Sequence, residues 1–271
     1  MDKPATLLSG GVSRCLDEVQ SLIRAAPADA DLRARLFQLA AVQGDWGRAA
    51  EQLRLCVRFD PAAQAMAALY GQAIAGERER EAVFAGVAEP LFPAGREPWC
   101  DLLLQAMALD GTQPARAAAL RGQALQDARE QGGTLLAGAA APVAYAWMGD
   151  GDSRLGPVCE WIAGGRYAWL PLQAVRRASL LAPEGVCDLL WARAEIVLTG
   201  GRTLHGLVPA RYPAPAGRAM AEQDESLRLG RETRWQALPG ETYAGAGQKM
   251  WITDAGEFAL LDVRRLDQEA A

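Results

Sequence analysis

Residues 44–61 read GDWGRAAEQLRLCVRFDP, a stretch with the pattern of one helix between two breaks. Gly44 allows a tight turn before the helix, and the small Ala49 lets a neighbouring helix approach closely. Leu53 continues the apolar stripe on the same helical face. Pro61 stops this helix and opens the next one. The stretch therefore predicts a helix with a tight turn before it and a second helix after it.

The same spacing of residues occurs once more, 34 positions earlier in the chain. A period of 34 resembles the tetratricopeptide repeat, which is a pair of antiparallel helices. A weaker third copy begins near Gly76, with Pro93 seventeen positions later, and residues 98–131 predict a further helical hairpin. Because stacked hairpins bury each other's faces, we expect an all-helical repeat domain over residues 1–135. The paired positions are Gly10 and Gly44, Val12 and Trp46, Cys15 and Ala49, Val19 and Leu53, Leu22 and Cys56, and Pro27 and Pro61.

Such a solenoid usually binds a peptide or a helix along its concave side. In this register the first helix of each repeat exposes Arg35, Gln38 and Val42, and then Met66 and Tyr70. This mixture of polar and apolar side chains suits an amphipathic helix. The alternative is that these residues pack between the repeats, which is the commoner role for apolar side chains such as Val42 and Met66.

The pattern changes after about residue 140, where short apolar and aromatic runs alternate with glycine turns. Three hairpin signals centre on Gly164-Gly165, Gly200-Gly201 and residues 254–256. Residues 171–183 predict a helical turn or a further strand, and residues 213–230 predict a loop followed by a short helix. These runs favour a small antiparallel sheet or a partly closed barrel.

The two halves together predict an α+β protein with two domains. A tetratricopeptide-like helical repeat domain occupies residues 1–135, and a small, barrel-like antiparallel β-rich domain occupies residues 136–271.

Composition limits the function. The chain has 271 residues, a formal net charge of −5 and one histidine. A mildly acidic balance argues against a nucleic-acid surface, which needs clustered lysine and arginine. No apolar stretch is long enough for a signal peptide or a membrane span, so we expect a cytoplasmic protein. The cysteines are scattered and odd in number, which favours buried, reduced thiols over disulfides or a zinc site.

Residues 147–156, WMGDGDSRLG, are the most polar and glycine-dense stretch of the chain. A calcium loop is excluded because Arg154, Leu155 and Trp161 stand where the pattern needs an acid or amide, a glycine and a glutamate. A hydrolase would use Ser153 as its nucleophile. Its base would have to be His205, the only histidine.

The hydrolase interpretation lacks support around His205. The aspartate expected three residues before it is absent, because position 202 is arginine, and His205 falls in a predicted strand. A structural interpretation fits the loop better: Asp150 and Asp152 bond backbone amides in a turn, and Arg154 pairs with one of them. We therefore expect no catalytic site, no metal and no cofactor.

Several stretches together resemble the ImpE family, also called TagJ or SciE-type, of accessory proteins of bacterial type VI secretion. The order of these stretches is specific, and with the helical half the resemblance covers almost the whole chain. The stretches are GDSRLGPVCEWIAGGRYAWLP (151–171), LVPARYP (207–213), DESLRLGRETRW (224–235), ETYAGAGQK (241–249) and TDAGEFALLDVR (253–264).

The resemblance implies a non-enzymatic adaptor in the cytoplasm. Members of the family are understood to bind the N-terminal helix of the small contractile-sheath subunit and to connect, through it or directly, to the AAA+ ATPase that disassembles the sheath. The resemblance assigns no binding residues. Two alternatives stay open: a hydrolase that uses Ser153 and His205, and a self-associating scaffold with no role at the sheath.

Overall fold

The structure, a computed structural model, describes residues 10–215 and 218–269. Within these ranges six α-helices come first and the strands follow, with one short α-helix between β8 and β9, so the α+β class is confirmed. The helices are α1 (Val12–Ala25), α2 (Ala30–Val42), α3 (Trp46–Phe59), α4 (Gln64–Phe84), α5 (Pro98–Leu109), α6 (Pro114–Asp127) and α7 (Glu225–Arg228). The strands are β1 (Gly133–Ala137), β2 (Val143–Tyr145), β3 (Met148–Asp150), β4 (Val158–Ala163), β5 (Arg166–Pro171), β6 (Val175–Leu180), β7 (Trp191–Leu198), β8 (Thr203–Pro209), β9 (Thr233–Leu238), β10 (Thr242–Gly247), β11 (Met250–Thr253), β12 (Gly256–Ala259) and β13 (Val263–Gln268).

The hairpin of α2 and α3 forms where the opening stretch predicts it. Gly44 has a φ of 72°, which only glycine adopts readily, and this allows the tight turn. The Asp45 carboxylate then accepts the Arg48 N–H at 3.0 Å and so caps the start of α3. Helices α5 and α6 form the second expected hairpin, within residues 98–131.

The expected third repeat is wrong in its register. Gly76 lies inside the 21-residue helix α4 and not in a turn. The glycine is needed there because a Cβ at this position would lie 2.5 Å from Cγ2 of Ile162 in β4. Gly76 therefore lets α4 pack closely on the sheet.

Two glycines of α4 provide a matched test of this packing. Gly71→Ala is expected to stabilise the protein by about 0.5–1 kcal/mol, because a helical glycine is costly and nothing lies within 4 Å of the new methyl. Gly76→Ala is expected to destabilise it by roughly 1–3 kcal/mol through overpacking against Ile162. Urea unfolding measures both; the same sign for the two variants would contradict the close approach of α4 to β4.

Most of the strands form one antiparallel sheet of eight, in the order β2-β1-β13-β6-β7-β8-β4-β5. The three expected hairpins are present as β4–β5, β7–β8 and β11–β12. The segment 171–183 contains both of its predicted alternatives, a 3-10 turn over Leu172–Ala174 and then β6. Strands β12, β11 and β3 form a second sheet, and β9 pairs with β10 in a hairpin that the sequence analysis missed.

Of the two forms predicted, an antiparallel sheet or a partly closed barrel, the structure confirms the sheet, which is open at its two ends. Its end strands, β2 and β5, do not pair with each other in the described part of the chain. Instead the edge of β5 is covered by the segment before α5: the Leu91 N–H donates to the Tyr167 carbonyl at 3.0 Å, and the Trp169 N–H donates to the Leu91 carbonyl at 2.8 Å. Helix α4 packs across β4 and β5.

The helices and the sheet share a buried apolar cluster. Trp191, at the start of β7, lies 6.0 Å from the ring of Trp46 and 5.9 Å from the ring of Tyr70, measured between centroids. The Tyr70 ring in turn lies 5.3 Å from that of Phe37. The chain changes from helix to strand between residues 127 and 133, close to the predicted boundary at 135, and the division into two domains stays a prediction.

The cysteines occupy the positions expected for structural thiols, since all five are buried and unpaired. Across residues 10–215 and 218–269, no helix is both long enough and apolar enough to cross a bilayer.

Candidate functional site

The loop after β3 is held by its own acidic side chains. Asp150 Oδ1 accepts the Asp152 N–H at 2.9 Å, and Asp152 Oδ1 accepts the Arg154 N–H at 3.0 Å. The Arg154 guanidinium pairs with the same carboxylate, with Nε 2.9 Å from Oδ1. The Gly245 N–H of β10 donates to Asp152 Oδ2 at 3.0 Å. The structure thus brings the three predicted turn residues together and ties their loop to the β9–β10 hairpin.

Beneath this loop lies a buried charge cluster made of Glu77, Arg80, Asp150, Glu160 and Lys249. Lys249 Nζ stands between two carboxylates, 2.6 Å from Asp150 Oδ2 and 2.6 Å from Glu160 Oε2. All five residues are buried. The charges are close to balance, with three carboxylates facing two cations, and this limits the cost of burying them.

Arg80 joins helix α4 to the sheet through this cluster. Its guanidinium makes a forked pair with Glu160 in β4, with Nε–Oε1 at 2.6 Å and Nη2–Oε2 at 2.9 Å. Forked pairs of this kind are both strong and directional. Nη1 lies 3.3 Å from Glu77 Oε2, one turn earlier in α4. Removal of Arg80 would leave three buried carboxylates with Lys249 as the one remaining cation of the cluster.

Neutral side chains complete the hydrogen bonding of the cluster. The Tyr167 hydroxyl donates to Glu160 Oε1 at 2.6 Å, and Trp191 Nε1–H donates to Glu77 Oε1 at 2.9 Å. The Tyr212 hydroxyl donates to Asp150 Oδ1 at 2.9 Å. These bonds satisfy oxygens that water cannot reach, as buried polar groups require.

Burial and neighbouring charges shift the pKa values of the two central carboxyls in opposite directions. Burial opposes ionisation of Glu160, but Arg80 and Lys249 outweigh it and lower the pKa of Glu160 from 4.5 to about 2. Burial raises the pKa of Asp150 to about 6, against the effect of Lys249 and with help from nearby Asp152. Glu160 is therefore the anion that the two cations hold most firmly.

The low pKa of Glu160 predicts a loss of stability in acid. Ionised Glu160 stabilises the folded state fully above pH 4.5, its ordinary pKa, and this contribution is lost as the pH falls towards about 2. Glu160→Gln cannot ionise, so we expect it to be less stable than the wild type at pH 7, with a difference that shrinks between pH 4.5 and 2. Urea titrations across this range measure the difference, and one that did not change with pH would contradict the assignment.

A second buried arginine ties the β half to the end of helix α2. Arg211 Nη1 donates to the Val42 carbonyl at 2.7 Å, and Nη2 donates to the Ala41 carbonyl at 2.9 Å. Nη1 also donates to the Arg228 carbonyl at 2.8 Å. The guanidinium donates to carbonyls that have no partner within the helix. Its positive charge also interacts favourably with the negative end of the helix dipole.

The start of α1 receives a similar contact from α7. The Val12 N–H, in the first turn of α1, donates to Glu225 Oε2 at 2.7 Å. An anion at a helix N-terminus is favourable for the same electrostatic reason. Residues far apart in sequence therefore cap both α1 and α2.

The predicted binding groove is partly filled by the chain itself. Val42 has no exposed surface, and Tyr70 packs between Phe37 and Trp191. These two residues have the packing role that the sequence left open, because the 3-10 turn over Val186–Leu189 packs on α2 and Trp191 at the start of β7 packs on Tyr70 of α4. Of the remaining positions, Arg35 is exposed, and Gln38 and Met66 are half-buried.

Ser153 and His205 have separate surroundings. The Ser153 Oγ accepts the Tyr243 N–H at 3.0 Å. His205 is exposed on β8, where its Nδ1 lies 3.8 Å from Glu195 of β7. The strand position of His205 agrees with the sequence analysis, and the hydroxyl of Ser153 serves a loop contact.

Among the exposed features of the described residues, two are suited to binding a partner. One is a groove of about 410 Å³ between α3 and α4, whose lining includes Val57, Ala67 and Ala68. The other is an aromatic patch around the loop after β3, formed by the half-exposed Trp147, Trp235 and Tyr243. Exposed aromatic clusters of this kind are typical of protein interfaces.

The sequence analysis missed most of the buried charge cluster. A signal for Lys249 was present, since it is one of two lysines in a chain rich in arginine. Glu160 also breaks an otherwise apolar strand, VCEWIA. Arg80 gave no such signal, because charged residues surround it in the helix sequence GEREREA.

Comparisons with known proteins agree with this architecture. Residues 143–267 match the family model described as ImpE protein. The type VI secretion system accessory component TagJ of Pseudomonas aeruginosa is 39% identical over 265 residues, which cover 97% of this chain and 89% of that protein. The crystal structure of protein VPA1032 from Vibrio parahaemolyticus superposes with a TM-score of 0.83 at 23% identity, covering 95% of this chain and 94% of that one. This last likeness shows that the fold is shared.

Proposed function

Because the chain belongs to the ImpE family of type VI secretion accessory components, we propose that it is a non-enzymatic adaptor for the contractile sheath. In this proposal the protein binds an amphipathic helix at the N-terminus of the small sheath subunit. It also links the sheath to the AAA+ ATPase that disassembles it, and it does so in the cytoplasm. The observation that carries the proposal is that the polar residues a catalytic site would use, in the loop after β3 and in the buried charge cluster, bond to one another or to the backbone.

The non-enzymatic part of the proposal is supported by burial and by pairing. The acidic and basic residues of the WMGDGDSRLG stretch and of the buried charge cluster bond to one another or to the backbone. Ser153 holds the backbone of Tyr243, and His205 stands on an exposed strand beside Glu195. A nucleophile needs a base within hydrogen-bond reach, and these two side chains face different partners.

The sheath helix is proposed to bind at the open end of the predicted groove. Arg35 is exposed near the middle of α2, and Gln38, one turn later, and Met66 of α4 are half-buried. An amphipathic helix could place its apolar side on Met66 and an acidic residue near Arg35. The α3–α4 groove is the competing location within the same half of the molecule.

Calorimetric titration with a synthetic amphipathic peptide from the sheath subunit tests this placement. We expect Arg35→Glu to weaken binding about tenfold or more, as the loss of one ion pair together with new repulsion would do. Arg54→Glu is the matched control, because Arg54 is also exposed, lies on the neighbouring helix α3 and borders the α3–α4 groove.

The possible results distinguish an error in the binding site from an error in the adaptor proposal. Loss of binding in Arg54→Glu alone would move the site to the α3–α4 groove. Absence of binding by the wild-type protein would overturn the adaptor proposal.

The ATPase is proposed to bind the aromatic patch. Trp235 and Tyr243 lie on one face of the β9–β10 hairpin, and the Trp235 ring lies directly against Gly151 of the loop after β3. Pull-down of the purified ATPase is expected to fail with Trp235→Ala, while the titration with the sheath peptide stays unchanged. Unchanged capture of the ATPase by this variant would reject the patch.

A further inference from the structure

The Lys249 amine and the Asp150 carboxyl are held against each other by rigid backbone on both sides. The Lys249 N–H donates to the Ala210 carbonyl at 2.9 Å, and the Lys249 carbonyl accepts the Leu260 N–H at 2.9 Å. The Asp150 N–H donates to the Gly156 carbonyl at 2.6 Å, and Asp150 pairs with Trp251 across β3 and β11. Neither side chain therefore has much freedom to move away from the other.

The atoms around this pair are those that amide formation needs. Two donors point at Asp150 Oδ1, the Tyr212 hydroxyl and the Asp152 N–H, each at 2.9 Å. Paired donors of this kind stabilise the oxyanion of a tetrahedral intermediate. Asp150 Oδ2 faces Lys249 Nζ at 2.6 Å, and Glu160 Oε2 lies 2.6 Å from the same nitrogen as a proton acceptor.

We propose that Lys249 and Asp150 condense to an intramolecular isopeptide bond, with Glu160 as the proton carrier. This inference concerns the covalent state of the fold and is independent of any partner.

The condensation is balanced without an added reagent. A proton passes from the Lys249 ammonium to Asp150 Oδ2, which leaves a neutral amine and a neutral acid. Nζ then attacks Cγ, Glu160 takes the second proton from nitrogen and delivers it to the Oδ2 hydroxyl, and the C–Oδ2 bond breaks. One amide forms, one water leaves, and Glu160 returns to its ionised form.

Burial favours both the reaction and its product. Lys249 is 1% exposed and Asp150 is 4% exposed, so little water competes for the carboxyl. A buried ion pair carries a desolvation cost that a neutral amide avoids. Lysine is also the only basic side chain suited to the reaction, because arginine keeps its proton in proteins.

Burial also raises the pKa of Asp150 to about 6, which favours the protonated carboxyl that the amine attacks. Arg80 keeps Glu160 ionised and so able to accept a proton.

Mass spectrometry of the intact, denatured protein tests the bond. An ion pair does not survive denaturation, whereas an isopeptide lowers the mass by one water relative to the sequence. Trypsin then gives a second readout, since it cannot cleave after an acylated lysine. The expected product is a branched peptide joining residues 130–154 to residues 235–264, in which the bond after Lys249 is intact.

Lys249→Arg is the control, because it keeps the positive charge and cannot form the amide. It is expected to have its full sequence mass, and Glu160→Gln is expected to accumulate the product more slowly. Full sequence mass of the wild type after prolonged incubation, with free peptides ending at Lys249, would overturn the proposal. These wild-type measurements decide the question even if the variants fold poorly.

Discussion

Replacing Arg80 with methionine is expected to destabilise the protein by about 3–5 kcal/mol, the usual cost of breaking a buried pair by removing one partner. Glu160 loses both bonds of its forked pair, and Glu77 loses its contact at 3.3 Å. Arg80 is 1% exposed, so no water replaces these bonds. Because a domain of this size is stable by only about 5–15 kcal/mol, the loss is a large share of the total.

Arg166→Met is the matched control for Arg80→Met. Arg166 of β5 also pairs with a glutamate of α4, with its Nε 2.7 Å from Glu79 Oε1, but its side chain is 55% exposed. An exposed pair contributes about 0–1 kcal/mol. Urea unfolding of both variants should therefore separate two arginine–glutamate pairs that join the same helix to the same sheet. Similar losses in the free energy of unfolding of the two variants would show that burial does not make the Arg80 pair more stabilising than the exposed one.

Replacing Trp191 with alanine is expected to cost roughly 3–5 kcal/mol, as for other buried tryptophans. The substitution leaves a cavity between Trp46 and Tyr70, on the face where the helices meet the sheet. It also removes the donor to Glu77 Oε1 and leaves that oxygen buried without a partner. Thermal unfolding monitored by circular dichroism measures the effect.

Trp147→Ala serves as the control for Trp191→Ala. Trp147 also lies in the β half, but it is 37% exposed and belongs to the aromatic patch. Its replacement is expected to change stability by about 0.5 kcal/mol or less. A small effect of Trp191→Ala, comparable to this control, would show that the helices do not depend on the sheet for their packing.

Local patterns in the sequence were sufficient to predict several elements of the fold. The α2–α3 turn follows from Gly44, whose positive φ and short sequence spacing are local properties. The three strand hairpins follow from glycine turns between apolar runs in the same way. The β9–β10 hairpin was missed because β9 is largely exposed and β10 consists mostly of small residues, so neither strand has a strong apolar pattern.

Contacts between the two halves could not be predicted in this way. The repeat pattern predicted an exposed inner face on α2 and α4, but it could not reveal that Trp191 and the preceding turn cover part of that face. Gly76 was interpreted as a repeat signal because its true neighbour, Ile162, lies in a distant strand. Asp150 and Asp152 were placed in a turn from local rules, whereas the pairing of Asp150 with Lys249 depends on the assembled sheets.

The resemblance to the ImpE family rested on stretches that converge in the structure. The first stretch supplies Asp152 and Glu160, the second supplies Arg211 and Tyr212, and ETYAGAGQK supplies Lys249. Glu160 and Arg211 bond to helices α4 and α2, whereas Asp152 and Lys249 bond within the β half. Part of the resemblance therefore lies in residues that join the two halves of the chain.

The long reach of these contacts constrains how the protein matures during translation. The Val12 N–H bonds to Glu225, 213 residues later, and Arg211 bonds to carbonyls of Ala41 and Val42, about 170 residues earlier. Ribosomes add roughly 5–20 residues per second, so helices α1 to α3 leave the exit tunnel several seconds before these partners exist. During that interval Phe37 of α2, and then Tyr70 of α4 once it is synthesised, have no sheet to cover them. We therefore expect nascent chains that stop before residue 191 to bind chaperones or aggregate, which makes late synthesis of the β half the step that completes folding.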